Sequence, residues 1–322
     1  MKKMLFPLIA FICFNAFIFT TQASPQKNSD KAILVTGSNA GIGLKITEHL
    51  VKQGFHVYAG ARKDKDLKKM NAMKNVTAVR LDVTKQEDID KAVEFVKKQG
   101  RGLFGVVNNA GVGTFSRMSE IPDDEVLWMH DVNVMGPHRV NKAFLPLLKE
   151  SKGRTVTISS ISGYITGATS GAYSMSKFAV EAYTESLAAD LAKDGVYVGV
   201  VDPGAYRSRI REKVTLHGLT GKYQLDQKLS DEQKKRLEEV KKRNEELKEP
   251  DEVAEAVVKA MTAEKPALRY MVAPTKEQAD ITIRTTLGRV LQLNNDQPYE
   301  LSRDELVKLL DELIAEQKKS TE

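Results

Sequence analysis

From Lys31 to Val272 the chain alternates between short apolar runs and helical patterns, and this alternation limits the fold more than any other feature. Ala32-Ile33-Leu34-Val35 is an unbroken apolar run that ends at Thr36-Gly37. Such a run suits a strand covered on both faces, as in a parallel sheet. Further strands are predicted over His56–Gly60, Val76–Leu81, Leu103–Val107, Thr155–Ile158, Val196–Val201 and Arg269–Val272. Helical spacing predicts Gly41–Gln53, Gln86–Gln99, one long helix from Asp124 to Leu148, then Ser174–Leu191 and Asp251–Met261. Alternating strands and helices imply βαβ units with right-handed crossovers, so the fold class is α/β with a doubly wound parallel sheet. Ligands then belong at the carboxyl ends of the strands.

The two ends lie outside this rhythm. Lys2 and Lys3 precede a run, Met4 to Phe19, in which 14 of 16 residues are apolar, and Thr21-Gln22-Ala23 follows. This is the layout of a secretory signal peptide cleaved after Ala23, with an uncleaved N-terminal anchor as the alternative. The expected location is therefore exported or membrane-anchored rather than cytoplasmic, with residues 24–30 as a linker. Removing residues 1–23 takes away Cys13, the only cysteine, and lowers the net charge from +6 to +4. An intramolecular disulfide and a Cys-rich zinc site are excluded, and no metal is expected. Between Asp226 and Glu252, 18 of 27 residues are charged, with pairs such as Lys234/Glu238 four apart. Leu229, Leu237, Val240 and Leu247 give this stretch a narrow apolar stripe, so residues 226–249 are expected to form a solvated helical insertion over the body. Basic and acidic residues interleave there, which argues against a nucleic-acid partner. The tail, residues 276–322, is a helical extension. Its last helix, Arg303–Glu316, is opened by the Ser302-x-x-Glu305 capping box and is expected to pack on the core or on a partner.

The motifs fall on strand ends. Thr36-Gly37-Ser38-Asn39-Ala40-Gly41-Ile42-Gly43 follows the first strand and opens a helix. Gly37 permits a sharp turn, Gly41 lets the backbone approach a pyrophosphate, and Gly43 allows close helix–strand packing. The second strand ends at Ala61-Arg62-Lys63, with no acid before Asp64. Arg62 is placed to pair with a 2′-phosphate, which points to NADP, with NAD as the alternative. At Leu81-Asp82-Val83, Asp82 is expected either to accept from an adenine amino group or to cap the following helix. Asn108-Asn109-Ala110-Gly111 suits the floor of a cofactor groove. Tyr173 and Lys177, four apart, share one helix face. A Lys ammonium beside the phenol is expected to lower its pKa and make Tyr173 an acid or base near neutral pH. Ser160, at the end of the fifth strand, is placed to bond the same substrate oxygen.

On these residues the chain resembles the short-chain dehydrogenase/reductase family over residues 31–275. The matching motifs are Thr36-Gly37-x-x-x-Gly41-Ile42-Gly43, Asn108-Asn109-Ala110-Gly111, Ser160, Tyr173-x-x-x-Lys177 and Pro203-Gly204. The resemblance implies a Rossmann-type seven-stranded parallel sheet and a homodimer or homotetramer. It implies hydride transfer between a nicotinamide and an alcohol or carbonyl carbon of a small molecule. Tyr173 would be the acid/base, Ser160 would position the oxygen, Lys177 would also hold the nicotinamide ribose, and Asn133 would support a water relay. Pro203, Gly204 and the segment around Ser208 would contact the nicotinamide. The Ala59-Gly60-Ala61-Arg62 strand end looks like that of members acting on retinoid, steroid or other lipophilic alcohols. The substrate loop is expected between Tyr206 and Leu225. A non-catalytic cofactor-binding or scaffold protein of the same fold is the alternative function.

Overall fold

The computed structural model describes residues 28–221 and 228–321. Residues 1–27, which include the expected signal or anchor, lie outside the described residues, as do 222–227. Seven strands form one sheet: β1 (Ala32–Val35), β2 (His56–Ala61), β3 (Val76–Arg80), β4 (Gly105–Asn108), β5 (Arg154–Ile158), β6 (Tyr197–Pro203) and β7 (Arg269–Val272). Their order is β3-β2-β1-β4-β5-β6-β7, and every pair is parallel.

All four residues of β1 are buried, which is why that strand reads as continuous apolar sequence. Its side chains alternate between two cores. Ala32 and Leu34 join Ile89 and Val96 of α3 (Gln86–Lys98) and Phe144 and Leu148 of α5 (Gly136–Ser151). Ile33 and Val35 join Ile46 and Leu50 of α1 (Gly41–Lys52) and Val253 and Val257 of α9 (Asp251–Thr262). The sheet order reverses between β1 and β4, and a crevice opens at their carboxyl ends.

The long helix predicted from Asp124 to Leu148 is interrupted. Helix α4 (Asp123–His130) passes through a π-helical turn, Asp131–Met135, before α5 begins. Pro137 has no N–H to offer the carbonyl of Asn133 four residues back, so ordinary α spacing fails there. Two helices were not anticipated by apolar spacing: α2 (Asp64–Asn71), which buries only Met70, and α7 (Ile210–Thr220), which occupies the expected substrate loop. The charged insertion is a helix, α8 (Asp231–Glu245), opened by a capping box between Ser230 and Gln233 and burying Leu237. It packs on α7. The tail opens, as expected, with a helix, α10 (Lys276–Asn294). The final helix, α11 (Arg303–Thr321), runs past its predicted end and does not pack on the core: Val307, Leu310, Leu313 and Ile314 are all exposed. Among the described residues no helix is long and apolar enough to cross a membrane.

Candidate active site

The crevice is one groove of about 1180 Å³. It begins at the turn between β1 and α1. Gly37 (φ +64°) and Gly41 (φ +55°) adopt the left-handed backbone that glycine tolerates. Gly43 is needed for space: a Cβ there would lie 2.3 Å from Asn109 Nδ2 and 2.4 Å from the Gly37 carbonyl oxygen. Ala40, which precedes α1, offers no side-chain cap, so the first N–H groups of the helix face the groove.

A latch holds this turn against the loop after β4. The Thr36 hydroxyl accepts from the Asn109 and Ala110 amides at 3.0 and 2.9 Å. The Asn109 side chain donates to the Thr36 and Gly37 carbonyls at 3.0 and 3.1 Å. The amide of Asn109 is thus committed within the protein, although the residue lines the groove. Thr36 carries no signal of this role beyond preceding Gly37. Thr36→Val keeps the shape and strands two N–H groups; we expect a loss of about 2 kcal/mol in stability, measured by urea unfolding.

Of the expected cofactor residues, Ser38 alone turns away. Its hydroxyl is buried and donates to the Gly60 carbonyl at 3.1 Å and toward Met70 sulfur at 3.4 Å. Asn39, Gly41, Ile42, Val83, Ala110, Gly111, Pro203, Gly204 and Ser208 line the groove. Ser208 sits over Gly41 and donates its amide to Asn244 of α8 at 3.2 Å. The charged helix therefore buttresses the rim.

At the adenosine end, Arg62 is exposed and its guanidinium lies 3.6 Å from Asp82. Burial alone would raise the Asp82 carboxyl. Bonds from the Thr84 hydroxyl (2.8 Å) and amide (3.1 Å), together with Arg62, outweigh it and hold the group below its usual range. Asp82 does not cap α3, whose N-cap is Lys85. Arg62, Arg209 and Lys63 gather around Lys213; burial first, then these cations, lower the Lys213 amine, opposed by Asp66. The cluster suits a dianionic phosphate.

At the other end, β5 delivers Ser160, whose hydroxyl accepts from the Ser162 amide at 3.1 Å. Helix α6 (Gly171–Leu191) delivers Tyr173 and, one turn on, Lys177. Ser160 is hydrogen-bonded to the Tyr173 phenol. The expected lowering of Tyr173 by Lys177 is not what the structure gives. Burial pushes the phenol up to about 12, against the pull of Ser160. The Lys177 ammonium lies 5.6 Å from the ring centroid and donates to the Ile158 carbonyl at 3.0 Å, so it does not address the phenol oxygen. Burial lowers Lys177 itself to about 8, opposed by Glu181 and Asp202.

Asn133 stands in the π turn, buried and off the groove. Its side chain accepts from the Val112 amide and donates to the Val112 carbonyl, both at 2.9 Å, and to the Ser176 hydroxyl at 3.0 Å. It braces the β4 loop against α6. Phe115, Trp128 and Val214 form an apolar wall beyond Tyr173. His217 of α7 stacks on Trp128 (5.7 Å, 28°) and lies 3.2 Å from Glu125. These side chains belong to no motif, although Trp128 is the single tryptophan of the chain.

The model of the short chain dehydrogenase family matches residues 31–217. The chain is 33% identical over 273 residues to the uncharacterized oxidoreductase YbbO of Escherichia coli, spanning 84% of this chain and 96% of that protein. It is 34% identical over 278 residues to the mitochondrial D-beta-hydroxybutyrate dehydrogenase of Bos taurus, spanning 78% and 79%. Among solved structures, a variant actinorhodin polyketide ketoreductase with NADPH matches with a TM-score of 0.64 and 27% identity, covering 77% of this chain and 98% of that one.

Proposed function

Because the chain belongs to the short-chain dehydrogenase/reductase family of oxidoreductases, we propose that it interconverts a secondary alcohol and a ketone, or a primary alcohol and an aldehyde, using NADP(H) ahead of NAD(H). The observation that carries this is the meeting of Ser160, Tyr173 and Lys177 in the same groove as the glycine turn. A hydroxybutyrate dehydrogenase and a ketoreductase among the similar proteins support an alcohol–carbonyl pair.

The residues present fit a nicotinamide dinucleotide. The uncapped start of α1, with Gly41 leaving the backbone open to the groove, would take the pyrophosphate, and Arg62 with its neighbouring cations would take the 2′-phosphate. When bound, the nicotinamide supplies or accepts the hydride. The Tyr173 hydroxyl gives its proton to the substrate oxygen in reduction and takes it back in oxidation. Ser160 Oγ holds that oxygen, and Lys177 contributes a positive charge behind the phenol. The Phe115, Trp128 and Val214 wall favours a lipophilic substrate body.

A panel of ketones and aldehydes with NADPH and NADH, on the full chain, tests the proposal; absence of turnover with both cofactors across the panel overturns it. Arg62→Asp is expected to raise the KM for NADPH about tenfold or more while leaving that for NADH nearly unchanged. An unchanged NADPH KM would make Arg62 a surface residue only.

A further inference from the structure

Behind Lys177 lies a buried charged cluster that no motif marked. Lys177, Glu181 and Glu185 recur every four residues along α6 and so form one stripe. Glu181 is almost fully buried, and Gly163 leaves the room it occupies: a Cβ there would lie 3.1 Å from Glu181 Oε1. Glu181 Oε2 accepts from the Tyr164 hydroxyl at 2.7 Å and from Arg269 Nε and Nη2, both at 3.1 Å. Arg269, at the start of β7, also reaches Glu185 at 2.8 Å and lies 3.9 Å from Asp202 Oδ2. Asp202, the residue before Pro203 in β6, is fully buried. Neither of its oxygens, nor Glu181 Oε1, has an N–H or O–H donor among the described residues. The two carboxyl groups are neighbours on one guanidinium: Arg269 lies 3.1 Å from Glu181 Oε2 and 3.9 Å from Asp202 Oδ2.

Two ionised carboxylates in contact in the interior repel strongly, and one proton between them removes that cost. The donors already on Glu181 Oε2 mark Glu181 as the ionised partner. Burial and Glu181 raise the Asp202 carboxyl, which agrees with the proton residing there. The charge then closes: Lys177 and Arg269 face Glu181 and Glu185, with Asp202 neutral.

We propose that Asp202 holds a proton that it donates to Glu181 Oε1, and that this one-proton pair, pinned by Arg269 and Tyr164, is the counter-charge that positions Lys177 and keeps its ammonium charged. Glu181 and Asp202 are positioning residues: neither lines the groove. The link to turnover rests on the role proposed above for Lys177 beside Tyr173.

The pair has a signature that plain packing lacks. Asp202→Asn replaces the O–H donor by an N–H donor and keeps the net charge of the pair. Glu181→Gln combined with Asp202→Asn removes that charge. Infrared spectra of the wild-type chain at neutral pH are expected to show a protonated-carboxyl stretch that Asp202→Asn deletes. NMR titration of the Lys177 side-chain nitrogen, assigned with Lys177→Met, is expected to stay within a few tenths of a pH unit in Asp202→Asn. The double variant should lower it by about one pH unit, a tenfold loss of proton affinity. The alkaline limb of ketone reduction should move down in parallel. No protonated-carboxyl band in the wild type, or a single variant that shifts Lys177 as far as the double, overturns the proposal. If the double variant fails to fold, the band and the single variant decide. The infrared and NMR readings need no turnover, so they fail separately from the proposed reaction, which the Tyr173→Phe variant tests.

Discussion

Tyr173→Phe is expected to lower kcat by about 10³-fold while leaving NADPH affinity within about twofold of the wild type. The ring packs beside Gly113, where a Cβ would lie 3.3 Å from its Cδ2, and phenylalanine fills that space equally well. Only the hydroxyl is lost, and with it the proposed proton donor, whose pKa the Ser160 hydroxyl pulls down. A phenol pushed up to about 12 stays protonated at neutral pH, which suits it to protonate a carbonyl oxygen. Reduction should therefore proceed near pH 7, whereas oxidation should gain as the pH rises. The measurement is steady-state kinetics in both directions beside a fluorescence titration of NADPH. Near-normal turnover in the variant would remove Tyr173 from the chemistry.

The second large effect is expected at Gly43→Ala. The added methyl would press on the Gly37 carbonyl oxygen at 2.4 Å and on the Asn109 amide at 2.3 Å. Both belong to the latch that joins β1 to β4, so relief of the clash must part the two loops. We expect a stability loss of about 3 kcal/mol and at least about a hundredfold weaker NADPH binding. Gly41→Ala is the control: its nearest neighbour is 3.5 Å away, and its cost comes from the left-handed backbone alone, about 1 kcal/mol. Urea unfolding and cofactor titration on both variants separate the effects. Equal losses in the two would show that backbone conformation, rather than crowding at Gly43, governs the turn.

What the sequence revealed follows from how local each feature is. A central parallel strand is covered on both faces, so β1 announces itself as four apolar residues in a row. Tyr173 and Lys177 are legible because helix geometry puts residues four apart on one side. Long-range effects were not legible. The Thr36 hydroxyl works through a loop more than seventy positions away. Ser38 looks like its glycine-turn neighbours but faces Gly60 of β2. The ionisation of Tyr173 depends on burial by other elements and on where Ile158 draws the Lys177 ammonium, neither of which spacing reveals. Helices α2 and α7 are not legible because each buries too few residues to leave an apolar stripe. The π turn had a local cause in Pro137, yet the spacing of the flanking helices concealed it.

The strand order β3-β2-β1-β4-β5-β6-β7 has a consequence for how such a chain diversifies. Chain positions 36 to 111 supply the glycine turn, Arg62 and the groove floor, and positions 158 to 217 return to both ends of the same groove. Helix α7 carries Lys213, beside Arg62 at the proposed 2′-phosphate site, and next to it Val214, on the wall beside Tyr173. Ser208, just before α7, lies over Gly41 of the glycine turn. The two proposed tasks are therefore interleaved along the chain, and a change in α7 that alters one end of the groove is felt at the other.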